Sequence, residues 1–147
     1  MSNKVLGREL IEDIAAFSRK LRAGFDALVR ERNMTLPRAR VFATLNKRDG
    51  INQRELADKL ELETPTLVRI LDTMEGQGFV ERRVAGSDRR AKEIYLTESG
   101  RVAAGEVEDI AWKMRARIVA GISESDLETT LSVVRAMQAN LQTVRGL

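Results

Sequence analysis

The sequence predicts a mainly α-helical protein with one small β-hairpin, an α+β fold. Three observations lead there. Apolar residues recur at helical spacing through most of the chain. A single pair of short β-prone runs, 79–84 and 93–96, flanks a turn rich in Gly, Ser and Asp. Amphipathic stretches long enough for extended helices occupy both ends.

In the first helix, about 25 residues long, Leu10, Ile14, Phe17, Leu21 and Leu28 follow a heptad-like stripe. It ends around Arg32-Asn33. Thr35-Leu36-Pro37 starts a second helix, because proline is tolerated in a first turn. Val41, Phe42 and Leu45 form its apolar side, and Arg48-Asp49-Gly50 closes it. Asn52 caps a third helix with Glu55 three residues on, as in a capping box, and Leu56, Ala57 and Leu60 face inward. Thr64, as N-cap, and Pro65 open a fourth helix that Gly76 and Gly78 end. Phe79 to Val84 reads as a strand, Gly86 to Arg90 as the turn, and Glu93 to Leu96 as the returning strand. Thr97 caps a fifth helix, and Ser123, with Asp126 three residues on, caps a sixth that runs to about Val144.

The chain divides accordingly into an N-terminal helix (1–34), a compact middle (35–97) and two C-terminal helices (98–147). Long helices at both ends of a small domain cannot bury their stripes on that domain alone. The expected solution is a homodimer, with Leu10, Ile14, Leu127, Leu131, Val134 and Leu141 at its interface. An intramolecular bundle of the same helices is the alternative.

The chain has no cysteine and no histidine. That removes disulfides, thiol chemistry, imidazole acid–base chemistry and Cys/His zinc sites. No GxSxG, SxxK or phosphate-cradling glycine loop occurs. The expectation is a protein that is not an enzyme, with no catalytic residues, no cofactor and no metal site. With no apolar run of about 18 residues and no signal-peptide pattern over Met1 to Arg8, it is expected to be cytoplasmic, away from any membrane.

Net charge is only +3, with a pI near 9.6. Residues 1–35 carry seven Lys/Arg against five Asp/Glu, residues 36–95 twelve against ten, and residues 96–147 six against seven. Any binding to a polyanion must therefore come from local clusters. Two stand out. On the fourth helix Leu67, Val68, Ile70, Leu71 and Met74 gather on one side, while Thr66, Arg69 and Thr73 fall within about 60° on the other. Two hydroxyls and a guanidinium suit base edges and phosphates, and Thr64-Pro65 leaves the free N–H groups of the first turn for a phosphate. A solvated helix face is the plain alternative. The second cluster is the hairpin, where Arg82, Arg83, Arg89, Arg90 and Lys92 fall within eleven residues. An arginine at such a tip suits a narrow minor groove, with Asp88 pairing to Arg90 so that Arg89 projects. An ordinary charged hairpin is the alternative here. Two helices joined by a short turn and followed by a basic-tipped hairpin make a winged helix-turn-helix core, flanked by long N- and C-terminal dimerisation helices.

Gln53-Arg54-Glu55-Leu56-Ala57, Thr66 to Asp72, Gly78 to Arg82, Asp88-Arg89-Arg90-Ala91-Lys92 and Leu96-Thr97-Glu98-Ser99-Gly100 together resemble the MarR family, and within it the SlyA-like regulators. The resemblance is dense over residues 35–101. It implies a homodimer with interdigitating terminal helices that binds double-stranded DNA at a pseudo-palindromic operator, acting as a repressor released by a small aromatic or phenolic carboxylate. By position it implies Thr66 and Arg69 in the major groove, Arg89 in the minor groove, and Asp88 with Arg90 bracing the wing. Thr64, Pro65, Thr73 and Arg82 complete the expected DNA-binding set.

For the effector, Arg19 and Arg22 on the first helix are the expected guanidinium partners of a carboxylate, with Phe25, Leu36, Ala39 and Trp112 as lining. Pairing of Arg19 or Arg22 with Asp26 on a solvated face is the alternative. Ala39 stands where the family usually has an aromatic residue. Two further readings stay open: a ligand-independent SlyA-like activator or anti-silencer, and a winged-helix protein-interaction module.

Overall fold

Residues 2–144 are described by the computed structural model, in the order α1 (Asn3–Arg30), α2 (Leu36–Lys47), β1 (Ile51–Asn52), α3 (Gln53–Leu60), α4 (Thr64–Gly76), β2 (Val80–Ala85), β3 (Asp88–Leu96), α5 (Glu98–Ile118) and α6 (Glu124–Thr143). The mainly helical fold with a small antiparallel sheet is the winged-helix arrangement expected. By internal contacts the chain separates into two units, Met1–Trp112 and Lys113–Leu147.

The caps follow local chemistry. The Asn52 side chain accepts the Glu55 N–H at 2.8 Å and starts α3. Ser123 Oγ accepts the Asp126 N–H at 3.1 Å and starts α6. Thr64 is not the cap of α4: Glu63 holds that position and Thr64 is the first helical residue. Proline lacks only an N–H that the first turn leaves unpaired, so Pro65 is accommodated one place further in.

The sheet corrects the simple hairpin. It has three strands in the order β1-β3-β2, because Ile51 pairs with Ile94 and Asn52 with Glu93. The returning wing strand is also longer than expected, beginning at Asp88 rather than Glu93, while the first has the expected length and lies one residue further on. They close on Gly86 and Ser87 alone, with Gly86 at a left-handed φ of 56°. Arg82 faces Ile94 and Val84 faces Lys92, with an irregularity at Val84/Ala85. Charged residues on both sides of this ribbon hide the alternation that marks a half-buried strand.

The core lies in the first unit. Phe42, Leu45, Ile51, Leu56, Leu67, Leu71, Met74 and Ile94 are fully buried, joined by Val29 from α1 and Val107 from α5. The rings of Phe42 and Phe79 meet edge-to-face at 5.5 Å between centroids. The start of α5 is fixed on the link between α4 and β2. Thr97 Oγ1 donates to the Gly78 carbonyl and accepts the Gly100 N–H, while the Thr97 N–H donates to the Phe79 carbonyl. Gly100 is buried there, and a Cβ on it would stand 1.9 Å from the Phe79 carbonyl oxygen. Only glycine fits so close to a backbone oxygen.

The terminal helices are different. Among the described residues α1 buries Val29 alone and α6 buries none. On α1, Leu6, Leu10, Ile11, Ile14, Phe17 and Leu21 remain exposed; on α6, Leu127 and Val134 are half-buried and Leu131 and Leu141 exposed. No helix among the described residues is long and apolar enough to cross a membrane.

Candidate nucleic-acid interface

The polar face of α4 depends on the packing of its other side. Leu67, Leu71 and Met74 are buried, with Val68 and Ile70 half-buried. This leaves Thr64, Pro65, Thr66, Arg69 and Thr73 on the exposed side. Arg69 makes no ion pair among the described residues. Thr73 is partly committed, since its hydroxyl donates to the Arg69 carbonyl at 3.1 Å. The α3–α4 turn, 61–63, brings the exposed carboxylates of Glu61 and Glu63 beside the helix start. They oppose an incoming phosphate and offset part of the attraction of the free N–H groups.

On the wing the arginines take different roles. Arg82, expected among the DNA contacts, is committed inside the protein. Its guanidinium pairs with Asp72 and, through Nε at 3.3 Å, with Glu75, and its side chain is only 16% exposed. Burial opposes the charge, but hydrogen bonds and attraction from Asp72 and Glu75 outweigh it and raise the guanidinium pKa above its ordinary value. Both carboxylates lie on α4, so this cluster joins helix and wing. Arg83 pairs with Glu81 at 2.8 Å and stacks 4.0 Å over the Tyr95 ring, while the Tyr95 hydroxyl donates to Glu93 at 2.7 Å.

Asp88 acts through backbone: its Oδ1 accepts the Arg90 N–H at 2.9 Å, stiffening the turn without an ion pair to the Arg90 side chain. The Arg90 and Lys92 side chains are exposed. Arg89 follows the turn in β3, and its side chain lies outside the described structure. Asp49, which the sequence marks only as part of a helix end, ties the α2–β1 link to β3 and α5. Its carboxylate accepts the Leu96 N–H at 2.9 Å and pairs with Arg101 of α5 at 2.6 Å.

The expected effector residues differ in exposure. Arg19 and Arg22 are exposed on α1 without ion pairs among the described residues, and Asp26 pairs with Arg30 at 2.9 Å instead. Phe25 and Leu36 are half-buried, and Trp112 is 66% exposed. Ala39 has no exposed surface, so it presents none to a ligand in this structure. None of the six lines the groove of about 440 Å³ beside Arg38. Among the described residues no cluster of carboxylates is arranged to hold a metal ion.

The MarR family model matches residues 34–92, spanning α2 through the wing. The chain is similar to the transcriptional regulator PA3341, at 36% identity over 90% of this chain and 98% of that one, with a TM-score of 0.81. It resembles in fold the transcriptional regulator SlyA, at 21% identity over 90% of this chain and 93% of that one, TM-score 0.77. A MarR-type regulator from Listeria monocytogenes, solved with a 26mer DNA, shares the fold at 18% identity, TM-score 0.78, over 89% of this chain and 87% of that one.

Proposed function

The chain belongs to the MarR family of transcriptional regulators, and we propose that it is a homodimeric, sequence-specific binder of double-stranded DNA that represses transcription from a pseudo-palindromic operator. The observation that carries this reading is the division of α4. Its apolar side is locked in the core, while Thr66 and Arg69 stand exposed and Arg69 is free to meet a base edge. The Listeria regulator solved with DNA supports the same use of the fold. In this account Thr66 and Arg69 enter the major groove, Thr64 and Pro65 present first-turn N–H groups to a phosphate, and Arg89 enters the flanking minor groove. Asp88 shapes the turn for Arg89 by holding the Arg90 N–H. Arg82 holds the wing against α4 and makes no DNA contact.

Dimerisation is supported by the apolar surface that one chain leaves uncovered. Leu10 and Ile14 of α1 and Leu131 and Leu141 of α6 are 36–70% exposed, far more than a monomer's helices usually leave in sequence. A two-fold axis through such an interface places two winged units on one duplex. Repression is relieved by a small aromatic carboxylate, for which Arg19 and Arg22, exposed and without ion pairs among the described residues, are the proposed receptors, with Phe25 and Leu36 as proposed lining.

Selection of bound duplexes from a random library by the full-length protein tests the DNA reading. The expected product is a pseudo-palindrome with half-site centres about 10 base pairs apart. A library that shows no enrichment after repeated rounds contradicts it.

A further inference from the structure

The Asp49 carboxylate is held firmly on the winged core. Its Oδ1 accepts the Leu96 N–H at 2.9 Å, and the neighbouring Gly50 N–H donates to the Ile94 carbonyl at 2.9 Å. Gly50 has a left-handed φ of 69°, and the Tyr95 ring lies 2.9 Å from where a Cβ would stand. The α2–β1 link is therefore closed onto β3 by backbone bonds at a position that takes only glycine. The other carboxylate oxygen, Oδ2, accepts the Arg101 guanidinium of α5 at 2.6 Å.

The other hydrogen bonds described between the start of α5 and the core run to Gly78 and Phe79. Thr97 Oγ1 and Ser99 Oγ donate to the Gly78 carbonyl, and the Thr97 N–H donates to that of Phe79. Beyond them α5 meets the core along a seam of buried Gly100, Ala104, Val107 and Ala111, all within the first unit. Such small side chains raise no ridges to interlock with a neighbour, so the seam opposes separation more than rotation about its line. Arg101 lies about 90° round the helix from this seam. Its pair with Asp49 is placed to oppose that rotation. The Arg101 side chain is 62% exposed, where an ion pair adds little to global stability and is screened by salt. Its effect falls on geometry.

We propose that the Asp49–Arg101 pair is the latch that sets the angle of α5 on the winged core, which makes both residues positioning residues for the spacing of operator half-sites. The spacing role rests on the dimeric DNA-binding reading above. In a two-fold dimer, the angle each core makes with its own α5 decides where its α4 meets the duplex. Neither Asp49 nor Arg101 touches DNA.

The chain has no cysteine, so full-length protein carrying Asp58→Cys on α3 and Gly105→Cys on α5 takes two spin labels and no others. Both positions are exposed, and a Cβ at Gly105 meets nothing within 4 Å. Diluted into unlabelled protein, the pair reports the distance within one chain by double electron–electron resonance. Two variants open the latch: Asp49→Asn, which keeps an oxygen for the Leu96 N–H, and Arg101→Met, which keeps the apolar stem. Both are expected to broaden the distance distribution about twofold with an unchanged melting temperature. Raising salt to about 1 M is expected to broaden the wild type likewise. Arg101→Lys, which restores the charge, narrows it again. On operator duplexes with half-site centres about 9 to 12 base pairs apart, the wild type is expected to favour one spacing by at least about tenfold, and both variants by no more than about threefold. Distributions as narrow in both variants as in the wild type overturn the latch. A spacing profile that the variants share with the wild type overturns the positioning role. A wild type that binds no duplex, with the variants still broadened, sinks the regulator reading and leaves the latch on α5 standing.

Discussion

Replacing Arg82 with methionine separates a contact with DNA from a brace within the protein. The guanidinium is 16% exposed and serves Asp72 and Glu75 together, whose side chains are 60% and 45% exposed. An exposed ion pair contributes about 0.2–1 kcal/mol. Two pairs sharing one largely buried arginine place the loss at about 1–2 kcal/mol, since the freed carboxylates regain water but repel each other. For a chain of this length that lowers the thermal midpoint by about 3–6 °C. Affinity for operator DNA falls as well, because α4 and the wing no longer move as one. The dependence of log affinity on log salt should stay unchanged, since no phosphate contact is lost. A direct phosphate contact would instead lower that slope by about 0.9 per subunit. The assay is a pair of measurements on one variant: differential scanning calorimetry, and fluorescence anisotropy across a salt series. An unaltered midpoint with a shallower salt slope refutes the brace and returns Arg82 to the DNA. Arg82→Lys, which keeps the charge but not the fork, is expected to recover only part of the stability.

Other substitutions probe the remaining parts. Gly100→Ala sets a methyl 1.9 Å from the Phe79 carbonyl oxygen and should destabilise by at least about 2 kcal/mol in denaturant titration; a near-neutral effect would contradict the packing of α5 on the α4–β2 link. Arg69→Ala is expected to lose about 1–3 kcal/mol of discrimination between operator and single-base variants, whereas Arg89→Ala weakens all duplexes alike; competition binding with a panel of variant duplexes distinguishes the two patterns. Leu131→Asp and Leu141→Asp should give monomers or insoluble protein, judged by light scattering after size exclusion, and a soluble, fully folded dimer would remove the terminal-helix interface.

Local chemistry made much of the fold legible. A cap and its partner lie three residues apart, so Asn52 with Glu55 and Ser123 with Asp126 could be read directly. The inward face of α4 followed from periodicity, with Leu67, Leu71 and Met74 fully buried. Strand β1 is two residues long, too short for any period, and its partner Ile94 lies far along the chain. The returning strand β3 extends back to Asp88 because Asp88, Arg89, Arg90 and Lys92 read as a charged turn and hide the alternation that marks a strand.

Among the site residues, composition identifies a basic hairpin but cannot tell which cations have internal partners. Arg82 is distinguished from Arg90 only once Asp72 and Glu75 are placed beneath β2 by the turn at Gly76–Phe79. Arg101 is marked by no local pattern. Its significance comes from Asp49, brought beside it from 52 residues away. The effector set spans α1, α2 and α5, whose mutual packing no local pattern reveals, and Ala39, where the family usually has an aromatic residue, is buried.

The most direct test of the account measures affinity for a selected operator duplex against a scrambled duplex of equal length, by fluorescence anisotropy at about 150 mM salt. The account predicts two chains per operator and a preference of at least about 10³ over the scrambled sequence. Equal affinity for both duplexes would contradict it.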